Sequence, residues 1–436
     1  MLVRVLQQNR KGHAVGVFCV CSAHPFVLQA AMQHAKQTGT LLIIESTSNQ
    51  VNQFGGYTGQ TPAQFAKFVA DLAASEKFPF QQIILGGDHL GPHVWRNENS
   101  AHAMEKARTL VRDCVLAGYT KIHLDASMHL TDDPGERHGP LSDEIVSARA
   151  AELCEAAEAA HGELPPGSPA PLYVIGTEVP VPGGETHGMQ APEITRTGDL
   201  QRTLQIAQNA FLARNLQSAW ERVIAVVAQP GVEFADSSVF AYEPRKAHSL
   251  ATFAVNNWHG VFEAHSTDYQ SAAALREMVR DHFAILKVGP WLTFAFREAV
   301  FALAAIEEEL LTSVGAATSR IREELDRAMT NNPAHWKSYY HGDETALQFA
   351  RKYSYSDRAR YYWPQPNVTA AFELLIANLT KFPPPVSLLS QHLPNQASAI
   401  REGRLSPLPA DLIRSKIREV LAVYSAACEN FAGENV

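Results

Sequence analysis

Eight short apolar runs recur between residues 14 and 287, each closed by a polar or ionisable side chain. They lie at 14–20, 41–44, 83–85, 121–124, 172–175, 223–227, 261–262 and 283–286. Short apolar runs bounded by turn signals read as buried strands. Between them lie stretches with helical spacing. Pro25 suits the first turn of a helix reaching residue 35, and 62–75 carries Phe65, Phe68, Val69 and Leu72 on one face. The segments 101–117, 144–160, 199–212 and 270–281 repeat that pattern. Eight strand–helix units predict an α/β fold, a (β/α)8 TIM barrel, because an open sheet usually has fewer strands.

That architecture gathers the strand ends at one rim, where barrels place their chemistry. In chain order the ends carry His24, Glu45, the adjacent Asp88 and His89, Asp125, Glu178, Gln229, Glu263 with His265, and Lys287. The barrel with its closing helix is expected over 1–311. A helical extension over 312–436, packed on the barrel, follows, with a stiff Pro-Pro-Pro linker at 383–385.

Composition narrows the partners. A formal charge of −8 without a long basic run argues against nucleic acid or an anionic membrane as the main partner. The N-terminal residues lack a signal peptide's apolar core, and no run approaches a membrane span, so a cytoplasmic protein is expected. Five cysteines without a CxxC pair fit buried thiols in a reducing compartment. Cys19 and Cys21 can form a metal pair, but a strand with both thiols on one face is the better reading of them.

Two imidazoles and a carboxylate at alternate strand ends, His89, Glu178 and His265, are suited to zinc or another divalent transition ion. Gln229 stands where a fourth ligand would come, although an amide oxygen is a weak one for zinc. Asp88 and Glu178 are the candidate catalytic carboxylates, Asp88 moving a proton at a substrate hydroxyl. A plainer role for Asp88 is to orient an imidazole. The loop 45–57 is dense in amides and hydroxyls, which makes Glu45, Asn49 and Gln50 candidate contacts for a polyhydroxylated ligand. Asp125, Glu185, Ser266, Asp268 and Lys287 complete the candidate substrate set. Lys287 can be read as a Schiff-base lysine. Pairing with an anionic ligand or a nearby acid accounts better for the acids and histidines around it. Arg358 and Arg360, beside aromatic residues 361–363, are placed to reach over the rim or to pack as helix-surface charges.

The motifs GGDHLGP (86–92), KIHLDASM (121–128), YVIGTEVPVPGGE (173–185), QPGVEF (229–234), EAHSTDYQ (263–270), AILKVGP (284–290) and YYWP (361–364) together resemble the GatZ/KbaZ family. Members are described as the non-catalytic subunit of class II D-tagatose-1,6-bisphosphate aldolase, some under the older label tagatose-6-phosphate kinase. The resemblance implies a ketose or ketose-phosphate ligand and a catalytic aldolase subunit as partner; a homo-oligomer is also compatible.

More distantly the barrel resembles the zinc-dependent class II aldolases. Asp88-His89 matches their Asp-His pair, an acid then a metal ligand, and His265 matches their last metal histidine. Gln229-Pro230-Gly231 stands where they have His-Gly. Ser266-Thr267-Asp268 stands where a glycine-rich phosphate loop is expected. The kinase label has no support, because the chain has no GxxxxGK[ST] loop. Two functions remain open. One is an aldolase-complex subunit with an aldolase-like metal site. The other is a metal-dependent C4 epimerase interconverting fructose- and tagatose-type ketoses by retro-aldol and aldol steps.

Overall fold

The computed structural model describes residues 1–136, 139–176, 192–312 and 315–428. Eight parallel strands close into a barrel: β1 (Val17–Val20), β2 (Leu42–Thr47), β3 (Ile83–Leu90), β4 (Lys121–Leu124), β5 (Leu172–Ile175), β6 (Val223–Val227), β7 (Val261–Ala264) and β8 (Ile285–Val288). Each strand pairs with its neighbours in sequence, and β1 closes on β8 with Val17 opposite Ile285. This is the (β/α)8 barrel read from the apolar runs. A two-stranded hairpin, Glu233–Phe234 with Val239–Phe240, is inserted after β6 and was not foreseen.

Alternation along the strands divides the core. Val17, Cys19, Ile43, Val174, Ala225, Val227, Val261 and Ile285 form an apolar cluster of their own, which Leu2 and Leu6 of the helix Leu2–Arg10 join. The intervening residues, Phe18, Val20, Ile44 and Leu286 among them, pack in the larger cluster with the surrounding helices. The helices begin as their sequences dictate: Pro25 opens Pro25–Thr38, and Thr61 with Gln64 forms a capping box for Pro62–Ser75.

Two glycines on and after β3 make room for the site. A Cβ at Gly86 would lie 2.8 Å from Cγ of Glu45, so the glycine admits the Glu45 side chain. A Cβ at Gly91 would fall 1.6 Å from the carbonyl oxygen of Asp125, so only glycine lets the chain leave β3 beside β4. Between them the β3–β4 register shifts and His89 takes a positive φ of 49°. That irregularity turns the Asp88-His89 pair at the rim.

The C-terminal helices pack on the barrel. Pro409–Cys428 lies against Pro25–Thr38, Ala272–Arg280 and Pro290–Thr312, and the carbonyl of Cys428 accepts a 3.0 Å hydrogen bond from the Gly16 amide just before β1. Arg297, 2 % exposed, donates from Nε to Asp357 at 2.7 Å and also to the carbonyls of Lys352 and Ser354. It thereby fixes the segment that leads into the 3-10 turn Arg358–Tyr361. No described helix is long and apolar enough to cross a membrane, and all five cysteines are free.

Candidate active site

The floor of the site is a buried lattice of charge. Lys121 of β4 places Nζ 2.6 Å from Oε1 of Glu45 and 2.6 Å from Oε2 of Glu263. Lys287 of β8 pairs with the other oxygen of Glu45 and lies 2.8 Å from Oδ1 of Asp88. Glu45, Lys121 and Glu263 have no exposure at all. Such charges persist in a barrel interior only when each has an opposite partner.

Three imidazoles, His89, His123 and His265, sit together, with ring centroids 4.8 to 5.2 Å apart. His265 Nε2 lies 3.0 Å from Glu263 Oε1, and His89 Nδ1 lies 2.8 Å from Asp125 Oδ2. Asp125 is itself fixed through Oδ1 by the amide and hydroxyl of Ser127. His123 accepts the His89 amide at Nδ1, 3.2 Å away, with Asp88 Oδ1 3.3 Å from the same nitrogen. Its Nε2 is buried with no hydrogen-bond partner among the described residues.

Burial works against the charged form of every group here, and the neighbours overrule it at most of them. Burial would raise Asp88, but His89, His123 and His265 hold its carboxyl well below the usual range. Burial would lower His89, but Asp88 and Asp125 carry it up to about 9. Burial lowers His265, only partly offset by Glu263. Burial would raise Glu263, but Lys121 and His265 bring it down to about 2.

Donor atoms of Asp88, His123, Glu263 and His265 all lie within 4.8 Å of one another, a set able to hold a metal ion. The fit is good on two counts. Mixed imidazole and carboxylate donors suit a divalent transition ion, and His123 Nε2 lacks another partner. The carboxylates of Glu45, Asp88, Asp125 and Glu263 outnumber the ammoniums of Lys121 and Lys287 by two, and His89, raised to about 9, offsets only part of that excess.

Above this floor opens a cavity of about 320 Å³. Asp88, His89, His265 and Lys287 face it from below. Asn49, Gln50, Tyr57, Ser266 and Asp268 line it from the barrel loops, and Arg360 and Tyr361 from the C-terminal extension. The Tyr57 and Tyr361 rings meet edge to face at 4.7 Å, and Arg360 donates to the Tyr361 hydroxyl at 3.0 Å.

The structure distributes the residues anticipated at the strand ends as follows. Asn49, Gln50, Asp88, His89, Ser266, Asp268, His265 and Lys287 border the cavity, while Glu45 lies beneath it and Asp125 behind His89. His89 stands beside the convergent donor set, its Nε2 3.8 Å from Asp88. Gln229 is turned onto its own loop, with Oε1 accepting from the amides of Gly231 and Val232 at 2.8 and 3.1 Å. Glu178 and Glu185 lie outside the described residues. Lys121 and His123 enter the site without having been singled out, and Glu263, read only as a strand end, joins the donor set. Period-two spacing in KIHLD puts Lys121, His123 and Asp125 on one strand face, and that spacing was the available signal.

A family model described as "D-tagatose-1,6-bisphosphate aldolase subunit GatZ/KbaZ-like" matches residues 2–429. The crystal structure of a probable tagatose 6 phosphate kinase from Sinorhizobium meliloti 1021 is 40% identical, with a TM-score of 0.86, over 95% of this chain and 100% of that one. The fructuronate-tagaturonate epimerase UxaE from Cohnella laeviribosi is 11% identical, with a TM-score of 0.48, over 94% of this chain and 81% of that one. The YdjI aldolase from Escherichia coli K12 is 9% identical, with a TM-score of 0.40, over 88% of this chain and 97% of that one. At those two scores the likeness carries no argument about the reaction. The match across nearly the whole sequence does: the chain belongs to the GatZ/KbaZ-like family of D-tagatose-1,6-bisphosphate aldolase subunits.

Proposed function

We propose that this subunit carries a working site of its own, a divalent-metal site for a ketose or ketose phosphate that inverts C4 by retro-aldol and aldol steps. The observation behind it is the placement of Asp88, an ionised carboxylate on the floor of a sugar-sized cavity and part of a buried donor set. His123, Glu263 and His265 would hold the ion, with Asp88 beside it to handle the proton, and zinc suits their donors best. The ion, when bound, polarises the ketose carbonyl and steadies negative charge that develops beside it.

The residues supply the remaining steps. Asp88 accepts the proton of the C4 hydroxyl as the C3–C4 bond breaks. The bonding pair stays on C3 and is delocalised to the C2 carbonyl, leaving an enediolate and an aldehyde. Lys287, 2.8 Å from Asp88, keeps that carboxylate ionised. Asn49, Gln50 and Ser266 hold hydroxyls while the aldehyde turns. The bond re-forms on its other face, and Asp88 returns the proton to the C4 oxygen. The walls of Tyr57 and Tyr361 limit escape of the aldehyde.

A second reading, in which the chain serves a separate catalytic aldolase subunit, is favoured by the family's description and by the tight Lys287–Asp88 pair, which blunts Asp88 as a base. The two readings separate when the purified chain alone is incubated with fructose, tagatose and their 6-phosphates and followed by 13C NMR, with metal content measured in parallel. Epimer formation without a second protein, about one divalent ion per chain, and a rate loss of roughly 10²–10⁴-fold in Asp88→Asn are expected. Turnover only after a catalytic aldolase is added, or a wild-type protein without metal, would overturn the first reading.

A further inference from the structure

The helix Pro290–Thr312 follows β8 and points its N-terminus at the cavity, where Gly289, Pro290 and Thr293 form part of the wall. In barrels the loops after the seventh and eighth strands, with a helix N-terminus, are a common seat for phosphate. The free amides and the aligned peptide dipoles attract an anion there. In this chain those amides are already taken. Oδ1 of Asp268 accepts from Gly289 at 3.0 Å and from Trp291 at 2.8 Å. Asp268 is 3 % exposed and itself lines the cavity.

The turn that delivers Asp268 is held on every side. Ser266 and Tyr269 both take positive φ, 52° and 65°, a conformation few side chains adopt without support. Thr267 donates its hydroxyl to the Lys287 carbonyl at 2.6 Å, and the Tyr424 hydroxyl donates to the Thr267 carbonyl at 2.8 Å. The Tyr269 hydroxyl donates to the carbonyl of Tyr355 in the extension at 2.6 Å. Strand β8, the final helix and the extension therefore all fix the carboxylate in place, and a ligand cannot push it aside cheaply.

We infer that Asp268 determines specificity by filling the anion seat at this helix N-terminus with the protein's own carboxylate. This end of the cavity then accepts a hydroxyl-bearing, uncharged end of a sugar and refuses a phosphate. An incoming phosphate meets a fixed negative charge where it would otherwise find two amide donors. A sugar hydroxyl can instead donate to the carboxylate. Burial raises the Asp268 carboxyl to about 6, which leaves it mostly ionised at neutral pH. The inference rests on the cavity being the sugar site proposed above, and it adds that a ketose carrying phosphate at both ends is a poor ligand.

The test uses the intact wild-type chain with Asp268→Asn and Asp268→Ser. The asparagine oxygen can still accept from both amides, so that variant keeps the helix cap without the charge, and thermal melting checks its folding. Calorimetric titration with fructose 6-phosphate, fructose 1,6-bisphosphate and inorganic phosphate provides the readout. Wild type is expected to bind the bisphosphate at least about tenfold more weakly than the monophosphate. Asp268→Asn is expected to narrow that ratio about tenfold, and Asp268→Ser to bind inorganic phosphate at least about tenfold more tightly than wild type. A wild-type preference for the bisphosphate, an unchanged ratio in Asp268→Asn, or no phosphate gain in Asp268→Ser overturns the assignment. Should no sugar phosphate bind to any of the three while Asp268→Ser still gains phosphate, the sugar reading of the cavity falls and the role of Asp268 stands.

Discussion

His89 is held by Asp125: its Nδ1 lies 2.8 Å from the carboxylate Oδ2, with both side chains almost wholly buried. This bond fixes the ring plane and turns Nε2 toward Asp88, 3.8 Å away. An imidazole tied in this way keeps one orientation and one tautomer.

Asp125→Asn should therefore damage the site without unfolding the barrel. Its amide still fits beside Ser127 but no longer stabilises the charged or polarised ring. The expected loss is about 10–100-fold in kcat/KM, with the melting temperature shifted by only a few degrees. An unchanged kcat/KM would show that the His89 orientation does not matter to the chemistry.

The same pair makes the metal-free protein sensitive to pH. Burial opposes the charge on His89, but Asp88 and Asp125 raise its pKa to about 9, above the unfolded value of 6.5. A group raised on folding stabilises the fold in full below its unfolded pKa, and that contribution disappears as pH rises through the folded one. Chelator-treated protein should thus lose stability between pH 6.5 and 9, by an amount on the order of 3 kcal/mol at about 1.36 kcal/mol per pKa unit. Urea melts across that window should show the decline in wild type and a flatter profile in His89→Gln. Parallel profiles in the two proteins would count against the assignment.

Lys121 is the cation on which two buried carboxylates depend, Glu45 and Glu263, each 2.6 Å away. Lys121→Met preserves most of the side-chain volume and takes from both acids their shared cation, leaving Glu45 with Lys287 alone and Glu263 with His265 and a more distant Lys287. It should cost about 3–5 kcal/mol of stability, read as a lower urea midpoint. Adding Glu263→Gln to it should recover part of the loss, because one stranded charge is then removed. A single variant as stable as wild type would mean that the lattice relaxes or takes up protons freely.

Much of this was written plainly in the sequence. The barrel followed from apolar runs whose ends are polar, since a strand buried on both faces must be apolar until it reaches the rim. The short helix Leu2–Arg10 was missed because its apolar residues, Leu2, Val3, Val5 and Leu6, crowd into its first half and its second half is amides and charge. Within the site, strand ends alone led to Asp88, His89 and His265, whereas His123 and Lys121 lie inside an apolar run. Finding them required following alternation into the strand. Gln229 sits at the anticipated place in the chain, yet its amide bonds to Gly231 and Val232. The direction a side chain takes at a loop depends on which backbone amides are left free, and that is settled only by the folded turn. Arg360 reaches the cavity because Arg297 clamps the segment before it, a pairing across sixty positions that no local pattern reveals.

The hydrogen bond from Gly16 to Cys428 joins the start of β1 to the end of the last described helix. A growing polypeptide therefore exposes its first strand long before the helix that seals it exists. At roughly 5–20 residues per second, the ribosome needs tens of seconds or more to supply that cover. During that interval the apolar outer face of β1 and the helix Pro25–Thr38 remain open to wrong associations, and contacts so distant along the chain form slowly. Yield in a heterologous host should depend on chaperone supply during synthesis more than on the stability of the finished molecule.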